Sequence, residues 1–210
     1  MIAALFVDRR GCYSGLPNVD LWDESRDARL YKGQYPVVAH PPCARWCKLA
    51  GLVEARYGYK KGDDGGCFKA ALDAVRAYGG VLEHPAFSDA WPAFDLMQPL
   101  PNVWSRCIDG GWIADVRQLD FEHPAEKRTW LYAFGATTLP MFTPKMRRAP
   151  NAMVGRTWVK EAQPTARVSF LRNQDAVPST LRRLSSKEAS GTPPAFRDVL
   201  LSIARSVVLK

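Results

Sequence analysis

Two short apolar segments end at prolines, and this pattern constrains the fold more than any other feature of the chain. Residues 37–39 (VVA) precede the run HPPC at 40–43, and residues 81–82 (VL) precede EHP at 83–85. Because proline fixes φ and cannot donate a hydrogen bond to a neighbouring strand, each predicted strand ends there. Cys43 therefore stands on a stiff turn at the C-terminal end of a strand, where open α/β sheets bind ligands.

Other segments also have the pattern of strands. Residues 2–7 form a continuous apolar run, which is typical of a strand buried on both faces. Residues 112–118 and 129–134 predict two more strands that pair as an antiparallel hairpin.

Helical segments separate these strands. Apolar residues recur at helical spacing over 67–78, and a short helix is expected to start near Asp23. A capping box at 185–188, followed by Thr192 as N-cap and Pro193 as the first helical residue, indicates a C-terminal helix. This alternation predicts an α/β fold: a Rossmann-like, largely parallel sheet with flanking helices and a small basic C-terminal lobe.

Positive charge is concentrated in the C-terminal third. The net charge is +8, and residues 145–210 hold 13 Lys or Arg against 4 Asp or Glu, a balance of +9. Such an asymmetry favours a polyanionic partner, most simply DNA, although a solvated basic surface is the alternative. The candidate nucleic-acid contacts are Arg45, Arg147, Arg148, Arg156, Lys160, Arg167, Arg172, Arg182 and Arg183.

Composition excludes several other classes of protein. No apolar run approaches the roughly 18 residues of a membrane span, and the first residues lack a basic leader, so we expect a cytoplasmic protein. The 5 cysteines are irregularly spaced, which argues against a disulfide framework. No CxxC pair occurs, so we expect no metal site, and no H-x-E motif precedes Cys43, as zinc deaminases require.

The order of the motifs resembles the cytosine-C5 DNA methyltransferases, in a small, divergent form of the sort carried by phage and prophage genomes. Residues 38–43 are similar to the family's Pro-Cys loop, whose cysteine is the nucleophile, and residues 81–85 are similar to its Glu-Asn-Val strand end. Residues 120–135 look like the family's Pro-Gln and alternating-arginine region. Residues 184–204 are similar to the segment that completes the cofactor pocket beside the first strand.

The resemblance implies a division into three parts. Residues 1–135 form a Rossmann-like catalytic domain, and residues 136–180 form a basic loop or lobe that corresponds to a reduced target-recognition region. Residues 181–210 form a helical segment that returns to the catalytic domain. So short a recognition region implies low sequence specificity or recognition by a partner.

The resemblance also assigns roles to individual residues. Cys43 is the nucleophile, Glu83 handles the ring nitrogen of the base, and Lys127 or Arg128 supplies a cation near it. S-adenosylmethionine is the implied cofactor. The positions implied to bind it are Phe6, Asp8, Gly11, Asp20, Asp23 and Pro41.

The chemistry of a pyrimidine explains these residue types. Carbon-5 becomes nucleophilic only after a thiolate adds to carbon-6, so we expect Arg45 and Lys48 to lower the pKa of Cys43. A carboxylic acid whose pKa burial raises can then protonate the ring, and Glu83 fits that role. The base must be flipped out or single-stranded. The alternatives are an ordinary turn cysteine at 43 and, at 83, a strand-end acid that pairs with Arg128 or caps a loop.

Departures from the family pattern leave two other functions open. The first loop, FVDRRGC at 6–12, keeps one glycine where the family has two, and His84 replaces the family's asparagine. A phage pyrimidine-modifying enzyme with a different cofactor is the first alternative. The second is a catalytically inactive methyltransferase-like protein that binds DNA, to protect it or to inhibit a host enzyme.

Overall fold

A seven-stranded mixed sheet forms the centre of the molecule. The computed structural model describes residues 1–142 and 184–208 and, between them, the backbone of four short strands. The strands of the central sheet are β1 (Ile2–Leu5), β2 (Val19–Trp22), β3 (Val37–Ala39), β4 (Gly80–Pro85), β5 (Ser105–Arg106), β6 (Trp112–Arg117) and β7 (Arg128–Phe134). Their order across the sheet is β2-β1-β3-β4-β7-β6-β5.

The direction of the strands changes halfway across this sheet. β2, β1, β3 and β4 are parallel, whereas β7 is antiparallel to both β4 and β6, and β5 is antiparallel to β6. The expected α/β class and the antiparallel pairing of β6 with β7 are therefore confirmed. The expectation of a largely parallel sheet is wrong, because β7 lies between β4 and β6 and makes every pairing beyond β4 antiparallel.

Five helices accompany the sheet in the described part of the chain. They are α1 (Ala50–Tyr57), α2 (Cys67–Tyr78), α3 (Ala90–Ala93), α4 (Ser186–Ser190) and α5 (Pro194–Arg205). The predicted helix over 67–78 is confirmed as α2. The helix expected near Asp23 is wrong, because β2 extends to Trp22 and a single 3₁₀ turn follows only at Ala28–Leu30.

The capping box before α4 forms as predicted. Ser185 Oγ accepts a hydrogen bond from the Glu188 amide at 3.3 Å, and Glu188 Oε2 accepts from the Ser185 amide at 2.8 Å. The last helix begins one residue later than expected, with Pro193 as N-cap and Pro194 as the first helical residue.

Two helices cover the two faces of the sheet. On one face, Leu5, Val37 and Leu82 pack with Phe68 of α2, whereas Ala4, Val38 and Val81 pack on the other face with residues of α5 such as Phe196 and Leu200. Successive strand residues thus alternate between an α2 face and an α5 face, as the period of two in a strand requires.

The order of the strands reverses beside β1. The chain passes from β1 to β2 on one side and then to β3 on the other, so the loops after β1 and β3 meet at a topological switch point, where open α/β sheets bind ligands. Close approach of β3 and β4 depends on Gly80, which has φ 123° and whose Cβ would overlap the Val37 backbone.

Between residues 142 and 184 the structure describes strand backbone only. β8 (Met146–Arg148) pairs antiparallel with β9 (Val159–Glu161), and β10 (Ala166–Arg167) pairs parallel with β11 (Arg182–Arg183). Most of the expected basic lobe at 136–180 lies outside the described residues. Residues 136 and 137 still belong to the layer of α5, since Ala136 bridges to Val207 and the Thr137 amide donates to Ser206 O.

Among the residues that the structure describes, no helix has the length and apolar character needed to span a membrane.

Candidate active site

One edge of the α5 face gathers polar side chains from four strand ends. Side chains alternate between the two faces of the sheet, so a residue two positions after a buried valine lies on the same face. His40, Glu83 and Gln118 therefore share the α5 face with Val38, Val81 and Val116. β7 runs in the opposite direction, so its N-terminal end reaches the same edge, and Leu131 leads back to Thr129 and Lys127. The polar group at this edge is His40, Glu83, Gln118, Lys127 and Thr129.

His40 links Glu83 to a tyrosine of the first loop. His40 Nδ1 lies 2.9 Å from Glu83 Oε2, and His40 Nε2 lies 2.8 Å from the Tyr13 hydroxyl. Burial raises the pKa of Tyr13 well above its ordinary value, so its hydroxyl keeps its proton. An ionised carboxylate accepts only, so Nδ1 carries the proton and donates to Glu83, while the tyrosine hydroxyl can donate to Nε2.

Gln118 holds the second oxygen of Glu83. Gln118 Nε2 donates to Glu83 Oε1 at 3.1 Å and to Thr129 Oγ1 at 2.9 Å, and all three residues are buried. Tyr13 and Gln118 were not predicted from the sequence. The period of two from Val116 could have indicated Gln118, whereas nothing in the first loop singles out Tyr13.

Glu83 is ionised in this arrangement. Burial by itself would raise the pKa of its carboxyl, but the hydrogen bond from His40 and the electrostatic effects of His40 and Lys127 lower the pKa to about 2. The expectation that burial raises the pKa of Glu83 is therefore wrong. The cause is that the hydrogen bond from His40, together with the electrostatic effects of His40 and Lys127, outweighs the effect of burial.

Cys43 is exposed on the loop after β3, beside these charges. The pKa of its thiol is raised by partial loss of solvent and by the negative charge of Glu83, while Lys127 acts in the opposite direction. The expectation that Arg45 and Lys48 lower this pKa is wrong. Arg45 and Lys48 turn to aromatic rings instead, at 4.2 Å from the Tyr59 centroid and 5.0 Å from that of Phe87.

Lys127 and Arg128 point to opposite faces of the sheet. Lys127 Nζ donates to the carbonyl oxygens of Ser190 and Gly191 at 3.2 and 2.8 Å, and burial lowers the pKa of its ammonium. Arg128 pairs with Asp115 on the α2 face. Of the two cations implied by the resemblance, the structure brings only Lys127 to Cys43 and Glu83.

His84 also lies on the α2 face. It is fully buried, with its ring centroid 5.1 Å from that of Phe68 and 6.4 Å from that of Trp91. Burial lowers its pKa to about 4, so the ring is neutral at physiological pH. Neither ring nitrogen makes a hydrogen bond of acceptable geometry to a described residue, and the nearby Pro42 backbone opposes the effect of burial on the pKa without cancelling it.

Residues of the first loop occupy the switch point beside β3. Phe6 has φ 58°, which turns its side chain to the α2 face, and Pro41 is buried. Asp8 is exposed and accepts from the Arg10 amide at 2.8 Å. A Cβ at Gly11 would lie 3.0 Å from the Asp8 carbonyl oxygen, a tight contact that favours glycine in this turn.

The acids implied as cofactor ligands are held by arginines. Asp23 Oδ2 lies 2.6 Å from Arg9 Nε, and Asp20 Oδ1 lies 2.6 Å from an Arg26 nitrogen. Asp20 Oδ2 also accepts from Trp22 Nε1 at 2.8 Å. Because a carboxylate has about four acceptor positions, these contacts leave Asp20 and Asp23 only part of their acceptor capacity for the polar groups of a cofactor.

The predicted nucleic-acid contacts fall mostly where side chains are not described. Arg45 is half-buried on the loop after Cys43. Arg156 and Arg172 lie outside the described residues, and only the backbone is described for Arg147, Arg148, Lys160, Arg167, Arg182 and Arg183.

No group of three or more His, Cys, Asp or Glu that could hold a metal ion occurs in the described parts of the chain.

Comparison with known proteins finds no matching family model, no matching curated protein and no matching solved structure.

Proposed function

We propose that the protein is an enzyme that modifies carbon-5 of a pyrimidine in DNA through a covalent adduct with Cys43, as cytosine-C5 DNA methyltransferases do. One observation carries the proposal: an exposed cysteine at the switch-point edge of the sheet lies within the electrostatic influence of both Glu83 and Lys127. The reversal of strand order beside β1 further supports a Rossmann-like sheet.

The first step is addition of the Cys43 sulfur to carbon-6. The thiol gives its proton to the Glu83 carboxylate, the sulfur–carbon-6 bond forms, and the electrons of the carbon-5–carbon-6 double bond move toward the ring nitrogen. Lys127 stabilises the thiolate, since its positive charge lowers the pKa of Cys43. Its ammonium is held in place by the carbonyl oxygens of Ser190 and Gly191.

The negative charge that reaches the ring needs a proton. Glu83, which is ionised before the reaction, now carries the proton taken from the thiol and passes it to the ring nitrogen, while the hydrogen bonds between His40 Nδ1 and Glu83 Oε2 and between His40 Nε2 and the Tyr13 hydroxyl hold the carboxyl group in place. Protonation of the ring nitrogen leaves an enamine with a nucleophilic carbon-5. After carbon-5 takes up an electrophile, loss of its original proton and cleavage of the carbon–sulfur bond restore the aromatic ring and the thiolate.

An assay that measures the release of tritium from carbon-5 of cytosine in DNA tests this mechanism, and it does not require the molecule that donates the electrophile. Reversible addition of the thiolate exchanges the hydrogen at carbon-5 with water, so we expect the wild-type protein to release tritium. Cys43→Ala should reduce release to background, and the matched control Cys47→Ala, four residues along the same loop, should retain it. Equal release by Cys43→Ala and the wild type would rule out the adduct.

Adding S-adenosylmethionine to the same assay distinguishes the donor. A methyl-transfer enzyme places its methyl group on carbon-5 in a Cys43-dependent manner. A second candidate function, modification of the pyrimidine with another electrophile, is favoured by the arginine-paired Asp20 and Asp23. Tritium release without methylation would support this second candidate. No release by the wild type would instead favour the inactive DNA-binding protein.

A further inference from the structure

A positively charged segment with exposed aromatic rings follows Cys43 directly. The 45–61 segment holds five Lys or Arg and one acid, Glu54, so its net charge is +4. Tyr57 and Tyr59 are 60% and 55% exposed, and Leu52 is 65% exposed. Lys61 pairs with Asp89 outside the segment at 2.6 Å, which leaves a surplus of three positive charges. Aromatic side chains usually bury their rings, so two exposed rings beside this surplus indicate a binding surface.

The segment is anchored at its base and open along its length. The Gly62 amide donates to the Arg45 carbonyl at 2.9 Å, which closes the segment into a loop. Trp46 fixes this base, because its indole donates to Asp64 at 2.8 Å and its carbonyl accepts from the Asp89 amide at 2.9 Å. Above the base, Ala50 is the one buried residue of α1.

The rings and cations of the segment are arranged together. The Arg45 guanidinium lies 4.2 Å from the Tyr59 ring centroid, and the Arg56 guanidinium lies 5.3 Å from that of Tyr57. The two tyrosine rings are 6.5 Å apart with an interplanar angle of 35°. Aromatic faces next to cations are what a flexible nucleic-acid strand requires, since bases stack on the rings and phosphates meet the charges.

We propose that the 45–61 segment binds single-stranded DNA, with unpaired bases stacked on Tyr57 and Tyr59 next to Cys43. Bases in a duplex are already stacked on their neighbours and offer no faces to these rings. The inference rests on the proposed function, which supplies DNA as the substrate, and it narrows that substrate to an unpaired strand. Arg45, two residues after Cys43, connects the surface to the nucleophile.

Fluorescence anisotropy with a labelled single-stranded oligonucleotide and its duplex tests the proposal. The wild type should bind the single strand more tightly than the duplex. Tyr57→Ala/Tyr59→Ala should weaken single-strand binding by at least about tenfold, since each stacked base contributes about 1–3 kcal/mol. Tyr57→Phe/Tyr59→Phe, which keeps the rings, should bind like the wild type.

Salt dependence separates the charges from the rings. Lys60→Ala should reduce the slope of log affinity against log salt by about 0.7, the value for one phosphate contact on a single strand. Lys32→Ala, an exposed lysine outside the 45–61 segment, is the matched control and should leave the slope unchanged. Tighter duplex binding, or unchanged affinity in the Tyr→Ala variant, would overturn the proposal. If the Tyr→Ala variant binds single-stranded DNA as tightly as the wild type, a protein partner becomes the alternative ligand of the 45–61 segment.

The two assays can refute the proposed binding surface and the proposed enzyme independently of each other. Anisotropy needs no turnover, so tyrosine-dependent strand binding without tritium release would refute the enzyme and keep the surface. Cys43-dependent tritium release with unaltered binding by the Tyr→Ala variant would refute the surface and keep the enzyme.

Discussion

Replacing His84 with leucine should cost little stability at neutral pH and should stabilise the protein in mild acid. The imidazole is fully buried between Phe68 and Trp91, and its nitrogens make no hydrogen bond of acceptable geometry to a described residue. Substituting an apolar group of similar volume for a buried polar group without a hydrogen bond is close to neutral or stabilising.

The size of the acid effect follows from the pKa of His84. That pKa is about 4 in the folded protein, against an ordinary value of 6.5. At about 1.4 kcal/mol per pH unit, the difference corresponds to about 3 kcal/mol. Because the unfolded chain binds this proton more tightly, the contribution is fully present above pH 6.5 and is lost as the pH falls to about 4.

Urea unfolding followed by tryptophan fluorescence measures both quantities. Between pH 6.5 and pH 4 the wild type should lose about 3 kcal/mol more unfolding free energy than His84→Leu. The comparison with His123→Leu is informative, because His123 Nδ1 accepts from the Ala125 amide at 3.1 Å and its loss should destabilise the protein at neutral pH. Parallel pH curves for the wild type and His84→Leu would refute the reasoning.

Two further substitutions test the sheet and the site. Gly80→Ala should destabilise the fold by more than about 3 kcal/mol, because the new Cβ overlaps the Val37 backbone at φ 123°, and urea unfolding measures the loss. Lys127→Met should raise the pKa of Cys43, because it removes the positive charge that lowers this pKa, so alkylation of Cys43 should require higher pH. Alkylation of Cys47, followed by mass spectrometry in the same samples, is the control; an unshifted Cys43 profile would contradict the role of Lys127.

Local patterns predicted the elements whose apolar residues are buried. β3 and β4 are apolar runs that stop at proline, and α2 carries a clear helical period, so all three were predicted. β2 escaped prediction because all four of its residues are only half-buried. α1 was not predicted because it lacks a row of apolar residues facing the core, since Ala50 is its one buried residue.

The composition of the site was less predictable than its position. The prolines after β3 and β4 located Cys43 and Glu83 at strand ends, but ionisation depends on partners from distant strands. Lys127, whose charge lowers the pKa of Glu83, reaches it because β7 pairs with β4, a pairing that no local pattern reveals. The direction of the pKa of Glu83 could therefore not be predicted from the sequence.

The last helix of the described chain is tied to the first loop, and this has a consequence for synthesis. Arg197 of α5 donates to the Cys12 carbonyl at 2.8 Å, across 185 positions, and Lys127 is clamped by the turn just before that helix. During synthesis, Cys43 and Lys127 therefore leave the ribosome before the residues that hold Lys127 in place. The contacts that hold Lys127 beside Cys43 are therefore complete only after the residues just before α5 have been translated.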